Sequence, residues 1–384
     1  MRRALSLSGL LAFLPEFEVP AAAQGETDIP FTDYPANFNP NPNPDAATRF
    51  LDIRKIDGHI TPTDQFFFIQ HYNRPEIDPL TYKLKFTGMV TKPQELLLSD
   101  LKAMKPVIDV VNGYECSGNS AARFQGLSSC GKFTGVRLRD VLKKVGVGAD
   151  AREVVFFGTD RQEESIVFRA NTYKLEQQFG RSVTLENAMK PEPILAWDLN
   201  GEPLKRNNGG PLRLIMPGRY GVSNVKWVSE IHLQEDRYLG NFQARWYRTL
   251  RGVGGTGEDK DPGTQWVETE VTKMHVKAVI TRARKTAAGV QIFGFVLNDG
   301  SPLKAVEVSV DGGAWAPAVL DKGNTQFSWK LFTFDWKNPA AGDHTIVARA
   351  TEANGKVQET EDELKRKKTF LEDNGQFPRK IRIA

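Results

Sequence analysis

The octapeptide Asn112-Gly113-Tyr114-Glu115-Cys116-Ser117-Gly118-Asn119 places a cysteine between an apolar segment and a turn. Residues 107–111 before it predict a buried strand, and the three residues after the cysteine are turn formers. A thiolate at the end of such a strand can face a cavity and act as a nucleophile or a soft metal ligand. The same residues also fit a simpler hypothesis, in which Cys116 is a small buried core residue, the common role of free cysteines.

Length and composition indicate a globular protein of two or three domains. The chain has 384 residues, of which 40% are hydrophobic and 26% charged, as in globular proteins generally. Its formal net charge of +4 is small for this length, and its basic residues are scattered, so no nucleic-acid partner is indicated. Two cysteines exclude a disulfide framework and a four-thiolate metal site, although Cys116 and Cys130 could pair with each other.

The first 24 residues have features of an export signal. Arg2 and Arg3 precede an apolar run, and Ala21, Ala22 and Ala23 offer small side chains for cleavage. Paired arginines at this position indicate the twin-arginine route. No apolar run reaches the ~18 residues that a membrane span needs. We therefore predict a periplasmic protein without a membrane span.

The remaining chain divides into four predicted regions. Residues 25–60 are rich in proline and asparagine and predict an extended arm. Residues 61–268 predict a mixed α+β domain with strands at 65–71, 82–89, 107–111, 153–158 and 194–199, and helices at 99–104, 136–145 and 185–189. Residues 269–358 follow a linker at 251–263 and contain short strands at 290–297, 305–310, 327–334 and 344–350, as in a β-sandwich of immunoglobulin-like size. Residues 359–384 predict a charged, exposed helix or tail.

A second cluster of chemically informative residues lies between positions 208 and 227. Its glycines allow the backbone to approach a ligand closely. Arg213 and Lys226 carry side chains that bind phosphate or another oxyanion. A glycine-rich loop with two ordinary surface cations remains the alternative interpretation of these residues.

The order of these motifs resembles the sulfite oxidase family of molybdenum enzymes. The matching segments are residues 61–67, 112–119, 134–142, 200–204, 210–213 and 225–227, with 306–315 in the last domain. The likeness extends over residues 61–350. It implies an α+β molybdopterin-binding catalytic domain followed by an immunoglobulin-like dimerisation domain.

The resemblance also implies a molybdenum–molybdopterin cofactor and a set of site residues. Cys116 matches the protein thiolate on molybdenum, a suitable soft ligand for a redox metal, and Tyr247 matches an active-site tyrosine. The implied cofactor-binding residues are Phe68, Gln70, His71, Asp160, Asn208, Arg213, Asn224, Val225 and Lys226. Cys130 matches no ligand.

Three positions depart from the family pattern. Ile69 stands where sulfite oxidases usually have an arginine that helps bind the dianionic substrate, so we expect weaker sulfite binding. Residues 120–122 replace a pair of basic residues, with Arg123 slightly displaced, and Asn208 stands where a histidine is common. Positive charge could be restored by one of four arginines, namely Arg123, Arg219, Arg245 or Arg248. We take Arg123 as the third candidate catalytic residue.

The function implied by the resemblance is oxidation of sulfite or a related sulfur compound. The chain has no haem-attachment motif, so a separate c-type cytochrome is the expected electron acceptor, and a homodimer is the expected assembly. Two alternatives remain open: reduction of an S-oxide or N-oxide with the same cofactor, and a metal-free binding protein on the same scaffold.

Overall fold

Strands dominate the computed structural model, which describes residues 26–35, 38–41, 43 and 46–384. The strands of these residues are, in chain order, β1 (Thr27–Ile29), β2 (Thr48–Arg49), β3 (Phe68–Ile69), β4 (Lys83–Gly88), β5 (Gln94–Leu97), β6 (Val107–Glu115), β7 (Ser128–Arg137), β8 (Glu153–Phe168), β9 (Asn171–Thr184), β10 (Ile194–Leu199), β11 (Glu202–Pro203), β12 (Arg213–Ile215), β13 (Val228–Gln234), β14 (Arg248–Val253), β15 (Gln265–Glu270), β16 (Lys277–Thr286), β17 (Gly289–Leu297), β18 (Leu303–Val310), β19 (Ala316–Pro317), β20 (Val319–Leu320), β21 (Lys330–Lys337), β22 (Gly342–Glu352) and β23 (Arg379–Ile383). The α-helices are α1 (Leu98–Ala103), α2 (Leu138–Val145), α3 (Leu185–Ala188), α4 (Asn241–Ala244) and α5 (Glu361–Leu364). The molecule is therefore built mostly of sheets, with few and short helices. The predicted export signal lies outside the described residues.

Two five-stranded sheets build the first unit of the molecule. One has the order β11-β10-β7-β6, with β12 also paired to β10, and the other has the order β5-β4-β13-β8-β9. Both sheets contribute to one apolar core, in which Phe133 and Leu195 from the first sheet and Phe156 and Ile231 from the second are fully buried. Cys116 directly follows β6, so the core fixes the strand that carries it.

Helix α2 packs on this core because its apolar side chains share one face. Leu138, Val141, Leu142 and Val145 are each 0% exposed, and their spacing repeats at the helical period. The helix ends at Gly146, whose φ of 76° is unfavourable for any residue with a Cβ. The sequence predicted this helix, but with a start inside the preceding strand β7.

Two antiparallel sheets build the second unit and enclose a separate core. Their strand orders are β1-β16-β17-β21-β20 and β19-β18-β22-β23. Ile280 and Ile292 from the first sheet pack with Val308, Ile346 and Ile381 from the second. The predicted sandwich is therefore present as two packed sheets, and β1 adds a short strand from the N-terminal arm to its edge.

The prediction of a C-terminal tail over residues 359–384 is wrong for the last part of the chain, because residues 379–383 form strand β23. This strand pairs with β22 from Gly342↔Ile383 to Ile346↔Arg379. Arg379 and Ile381 point inward and are buried, whereas Lys380 and Arg382 are exposed. The alternation has the period of a half-buried strand, but its charged residues concealed it in the sequence.

The two units meet across a third apolar cluster. Phe124 and Cys130 of the first unit pack with Val279, Phe295 and Trp329 of the second. This contact places the second unit directly behind the strand that ends at Cys116.

Several predicted strands have different limits in the structure. The strand predicted at 65–71 is reduced to Phe68–Ile69. The strand predicted at 107–111 continues to Glu115, and its buried part is residues 112–115 rather than the apolar run. No strand was predicted over residues 128–135, but they belong to strand β7, which pairs along the whole of β6. By contrast, the prediction for Ile194–Leu199 is confirmed.

Pairing over long sequence distances accounts for the largest differences. Strand β8 was predicted to end at residue 158, but it continues to Phe168 and forms a long hairpin with β9. The predicted linker at 251–263 begins inside β14, which pairs with β15. Strand β16 was not predicted, and its partner is β17. Helix α1 begins at Leu98 rather than Ser99, because the Asp100 carboxylate accepts the Leu97 amide.

Candidate functional site

A cavity lies beside the sulfur of Cys116 and is called the inner cavity below. Every site residue predicted from the sequence lines it except Arg123 and Asn208. These lining residues are Phe68, Gln70, His71, Cys116, Asp160, Arg213, Asn224, Val225, Lys226 and Tyr247. These residues come from segments that are far apart in the chain, and the fold brings their side chains together around one cavity.

The loop that carries Cys116 is fixed by hydrogen bonds at both ends. The Cys116 amide donates to the Leu127 carbonyl at 2.9 Å, and the Asn119 amide donates to the Cys116 carbonyl at 2.9 Å. The Asn119 side chain accepts the Leu127 amide at 3.0 Å and donates to the Glu115 carboxylate at 2.9 Å. The sulfur is therefore held on a rigid turn at the cavity wall.

The two cysteines are free thiols in different surroundings. Cys130 is 0% exposed and belongs to the apolar cluster between the units, so the possible disulfide with Cys116 is not formed. Burial raises the pKa of the Cys116 thiol to about 11. A thiol with this pKa is a poor free nucleophile, whereas metal coordination removes its proton. The site therefore fits a metal ligand better than a nucleophile.

Two cations project into the inner cavity without a carboxylate partner. Arg213 donates to the backbone carbonyls of Asn208 at 3.0 Å and Asn224 at 3.2 Å, and Lys226 Nζ donates to the Ile69 carbonyl at 2.9 Å. Among the described residues, neither cation has a carboxylate oxygen within 4.0 Å. Burial, followed by the nearby Arg213 guanidinium, lowers the pKa of Lys226 to about 7. Buried cations are stable when an anion joins them, so this end of the cavity fits a phosphate.

Gly209 lets the backbone pass close to Lys226. Its φ is 95°, and a Cβ at this position would lie 2.7 Å from Lys226 Cγ. Glycine is therefore required here on both conformational and steric grounds.

Two buried acceptors in the wall of the inner cavity have no partner among the described residues. These are Asp160 Oδ1 and Gln70 Oε1. Burial raises the pKa of Asp160 to about 6, opposed by the charge of Lys226. Because buried polar atoms normally form hydrogen bonds, these oxygens fit the N–H groups of a heterocycle such as a pterin.

His71 and Tyr247 form the wall of the inner cavity next to Cys116. Their Nε2 and Oη atoms are 2.5 Å apart. The His71 ring packs against Phe179, with 5.4 Å between ring centroids, and against Phe242 at 4.7 Å. Burial, followed by the charge of Lys226, lowers the pKa of His71 to about 4, and burial raises the pKa of Tyr247. Both side chains are therefore neutral hydrogen-bonding groups.

A second space, called the outer cavity below, meets the inner cavity at four shared residues. These residues are Ile69, His71, Cys116 and Tyr247. Arg123 lines the outer cavity only. Arg219, Arg245 and Arg248, the other cations considered from the sequence, line neither space. Cys116 thus lies in the wall of both spaces, whereas Arg213 and Lys226 line only the inner one.

Asn208 lies behind the inner cavity rather than in its wall. Its side chain is 4% exposed, and its backbone carbonyl supports Arg213 as described above. The sequence placed it among the cofactor-binding residues, but in the structure it acts through Arg213.

Some lining residues were not identified from the sequence. Tyr114 and Phe179 both line the inner cavity, and Tyr114 also packs 5.4 Å from the Arg213 guanidinium. Tyr114 lies two residues before Cys116 along the chain, and the period of a strand could have indicated it. Phe179 could not have been found in this way, because it lies on strand β9 in a hairpin that local sequence did not predict.

Comparisons with known proteins agree with this site. Residues 71–242 match the family model "Oxidoreductase molybdopterin binding domain". The chain is 27% identical to mitochondrial sulfite oxidase from Homo sapiens over 378 residues, covering 87% of this chain and 64% of that protein. It is 24% identical to sulfite oxidase from Arabidopsis thaliana over 340 residues, covering 79% and 83% respectively. The chain therefore spans less than two thirds of the length of the human relative.

A solved structure with the same fold covers nearly the whole chain. It is the sulfane dehydrogenase SoxCD from Paracoccus pantotrophus, with a TM-score of 0.71 and 23% identity over 91% of this chain and 90% of that chain. The described residues contain no helix long and apolar enough to cross a membrane.

Together these findings show that residues 71–242 match an oxidoreductase molybdopterin-binding domain and that the chain is similar to sulfite oxidases over most of its length. The cofactor that this domain implies is molybdenum–molybdopterin. The inner cavity suits it on the structural grounds given above: a buried thiol, two cations without carboxylate partners among the described residues, and two acceptors without partners among the same residues.

Proposed function

We propose that this protein oxidises sulfite or a related sulfur compound by oxygen-atom transfer and passes the electrons to an external carrier. The supporting observation is the position of Cys116, in the wall shared by the outer cavity and the inner cavity that Arg213 and Lys226 line. For sulfite the reaction is SO₃²⁻ + H₂O → SO₄²⁻ + 2H⁺ + 2e⁻. Relatives named sulfite oxidase support this assignment.

The residues of the site divide the work between the two cavities. The bound cofactor supplies the two-electron redox chemistry and the oxygen transfer. Cys116 would hold its metal, while Arg213 and Lys226 would hold its phosphate. The Tyr247 hydroxyl, 2.5 Å from His71 Nε2, is positioned to form a hydrogen bond with a substrate in the outer cavity.

The proposal is tested by metal content and sulfite-dependent turnover. We expect the protein, expressed in a host that makes the cofactor, to contain molybdenum and to reduce ferricyanide with sulfite. Cys116→Ser should lower both by more than the roughly 10–100-fold that loss of an outer-shell partner causes. Cys130→Ala is the matched control and should retain both, because Cys130 lines neither cavity.

A second candidate reaction is the reduction of an S-oxide or N-oxide. It is favoured by Ile69, which makes part of the wall shared by both cavities apolar and suits a less charged substrate. Turnover of an S-oxide with reduced viologen, without any sulfite oxidation, would replace the leading proposal. Absence of molybdenum from the native protein would favour the metal-free binding protein.

The assembly, partner and location are part of the same proposal. We propose that the second unit is an immunoglobulin-like domain through which two chains dimerise. Its two packed antiparallel sheets support the immunoglobulin-like part of this proposal. Light scattering of the purified protein should give twice the chain mass.

We also propose that a c-type cytochrome is the electron acceptor and that the protein is exported to the periplasm. The export proposal is supported by Arg2 and Arg3, which precede the apolar run. Replacing both arginines with lysine should keep a tagged protein in the cytoplasm.

A further inference from the structure

The outer cavity has mainly apolar walls. Phe50, Leu127, Trp246, Phe370 and Leu371 line it together with the shared residue Ile69. A site that selects only a small dianion has no use for so much apolar surface, because such an ion is bound by charge and hydrogen bonds. The walls therefore point to a ligand with an apolar part.

Two of these side chains lie at the mouth of the outer cavity with unusually high exposure. Trp246 is 64% exposed and Phe370 is 75% exposed. Large apolar side chains that are grouped at the rim of a cavity often mark a binding site. The position of both residues beside the cysteine loop makes substrate recognition their natural role.

Phe370 is held over the cysteine loop by the backbone around it. The Glu372 amide donates to the Ser117 carbonyl at 2.6 Å. A Cβ on Gly118 would lie 3.2 Å from Cε2 of the Phe370 ring. The aromatic ring therefore lies beside the loop that carries Cys116, although most of its surface faces solvent.

Arg123 is the single charged side chain in the described wall of the outer cavity. Its guanidinium lies 5.5 Å from the centre of the Phe50 ring, and no carboxylate oxygen of the described residues lies within 4.0 Å of it. His71 is also in the wall but is neutral, since burial lowers its pKa to about 4. Among the described residues, the wall therefore carries one formal positive charge, which matches a monoanionic ligand better than a dianion.

We propose that the outer cavity binds organic sulfinates, with the sulfinate group near Arg123 and the organic group between Trp246 and Phe370. This inference rests on the proposed function and specifies its substrate class. The reaction is R–SO₂⁻ + H₂O → R–SO₃⁻ + 2H⁺ + 2e⁻. One S–O bond forms with oxygen from water, the C–S bond is retained, the sulfur loses two electrons to a one-electron acceptor, and the protons pass to solvent.

Steady-state kinetics with ferricyanide compare sulfite, methanesulfinate and benzenesulfinate on the molybdenum-loaded protein. We expect kcat/KM to be highest for benzenesulfinate, by about tenfold over methanesulfinate, as burial of one aromatic group predicts. Trp246→Ala and Phe370→Ala should each raise KM for benzenesulfinate by about tenfold and change KM for sulfite less than about twofold. Arg123→Gln should raise KM for both sulfinates.

Matched controls distinguish recognition from a general surface effect. Phe168 is an exposed phenylalanine and Arg169 an exposed arginine at the tip of the β8–β9 hairpin, and neither lines the cavity. Phe168→Ala and Arg169→Gln should leave all three sets of constants within about twofold of the starting protein.

A binding measurement tests the same inference without turnover. Calorimetric titration of the loaded protein with benzenesulfonate and with sulfate compares an aromatic monoanion with a small dianion. We expect benzenesulfonate to bind about tenfold more tightly, and Trp246→Ala to abolish this preference.

The possible results separate this inference from the proposed function. Oxidation of sulfite alone, or a benzenesulfinate KM that Trp246→Ala does not change, overturns the sulfinate inference and leaves the proposed function intact. Failure to oxidise any of the three compounds, despite stoichiometric molybdenum, overturns the proposed function. Tighter binding of sulfate than of benzenesulfonate overturns the inference whatever the kinetics show.

Discussion

Ile69 is the residue that most affects the choice of substrate. Its side chain lies in the wall shared by the two cavities, while its carbonyl accepts a hydrogen bond from Lys226. Because the Ile69 side chain does not take part in the hydrogen bond to Lys226, we expect a substitution here to change the substrate preference and to leave that hydrogen bond in place.

We predict that Ile69→Arg lowers KM for sulfite by about tenfold. A charge-assisted hydrogen bond contributes roughly 1.5–3 kcal/mol, and repulsion from Lys226 reduces this benefit. KM for sulfite is measured by steady-state kinetics on protein of known molybdenum content. Ile69→Met is the control, since it adds no charge and should leave KM for sulfite nearly unchanged. An equal effect of both substitutions would contradict the electrostatic explanation.

Burial of the Lys226 ammonium lowers the stability of the cofactor-free protein. The pKa of its ammonium is lowered from 10.5 to about 7 by burial and by Arg213, with a smaller opposing effect of Asp160. Between these two values the unfolded chain binds a proton that the folded chain does not. The free energy of unfolding therefore rises as the pH increases from about 7 to 10.5. Below pH 7 the folded protein bears the full free-energy cost of burying the charged ammonium.

We predict that Lys226→Met stabilises the cofactor-free protein near pH 7 while weakening its retention of the cofactor. The expected gain in unfolding free energy is on the order of 2–4 kcal/mol, after allowance for the lost hydrogen bond. Urea unfolding at several pH values should show the difference from the original protein shrinking towards pH 10. Lys304→Met, at an exposed position, is the control and should change the free energy of unfolding by less than about 0.5 kcal/mol. A Lys226→Met protein that is less stable at pH 7 would show that the lysine is already paired.

The sequence identified the polar residues of the site better than the apolar ones. Cys116 stood out in the sequence as a possible metal ligand, and Arg213 and Lys226 stood out as cations that can bind an oxyanion. Phe179 and Trp246 carry no such signal, since most aromatic residues simply pack in a core. Their positions depend on strand pairing and loop packing that only the folded chain defines.

At the scale of elements, local pattern was reliable where burial and period agreed. Helix α2 and strand β10 are continuously apolar on the buried face, and both were predicted. Strand β23 and the outer part of the β8–β9 hairpin were missed, because their exposed and charged residues obscure the period. Pairing between distant strands stabilises these elements, and a local pattern does not contain that information.

The end of β6 is joined to the start of β16 by a buried ion pair. Lys277 Nζ lies 2.8 Å from Glu115 Oε2, and their side chains are 1% and 3% exposed. The same carboxylate oxygen accepts a hydrogen bond from Asn119. The ion pair therefore links the second unit to the loop that carries Cys116.

We predict that Lys277→Met destabilises the protein by about 3–5 kcal/mol, because it leaves the Glu115 carboxylate buried without its partner. The double variant with Glu115→Gln should recover most of this loss, and chemical denaturation of all four proteins gives the coupling free energy. The exposed pair of Lys365 and Asp362 is a suitable comparison, and its removal should leave the stability nearly unchanged, because exposed ion pairs contribute little. Additive single substitutions at 115 and 277 would contradict this account.

At the scale of the whole molecule, the second unit acts as a rigid support for the active-site strand. The Gly113 amide donates to the Phe327 carbonyl at 2.7 Å, so β6 is hydrogen-bonded directly to a loop of the second unit. Trp329 is 1% exposed and closes the apolar cluster between the units. The position of Cys116 therefore depends on both units.

Gly113→Ala tests this dependence, since a Cβ at position 113 would lie 2.5 Å from the Trp329 backbone nitrogen and 3.1 Å from the Ser328 carbonyl carbon. Backbone atoms cannot move aside as a flexible side chain can, so we expect a loss of about 1–3 kcal/mol in unfolding free energy and a lower molybdenum content. Gly263→Ala is the control: its nearest neighbour is the Asp261 side chain at 3.3 Å, and stability should change by less than about 0.5 kcal/mol. Urea unfolding measures the first quantity and metal analysis the second. Reduced stability with full molybdenum content would mean that this contact supports the fold but not cofactor retention. Unchanged stability would mean that the contact between the two units at Gly113 contributes little to the free energy of unfolding.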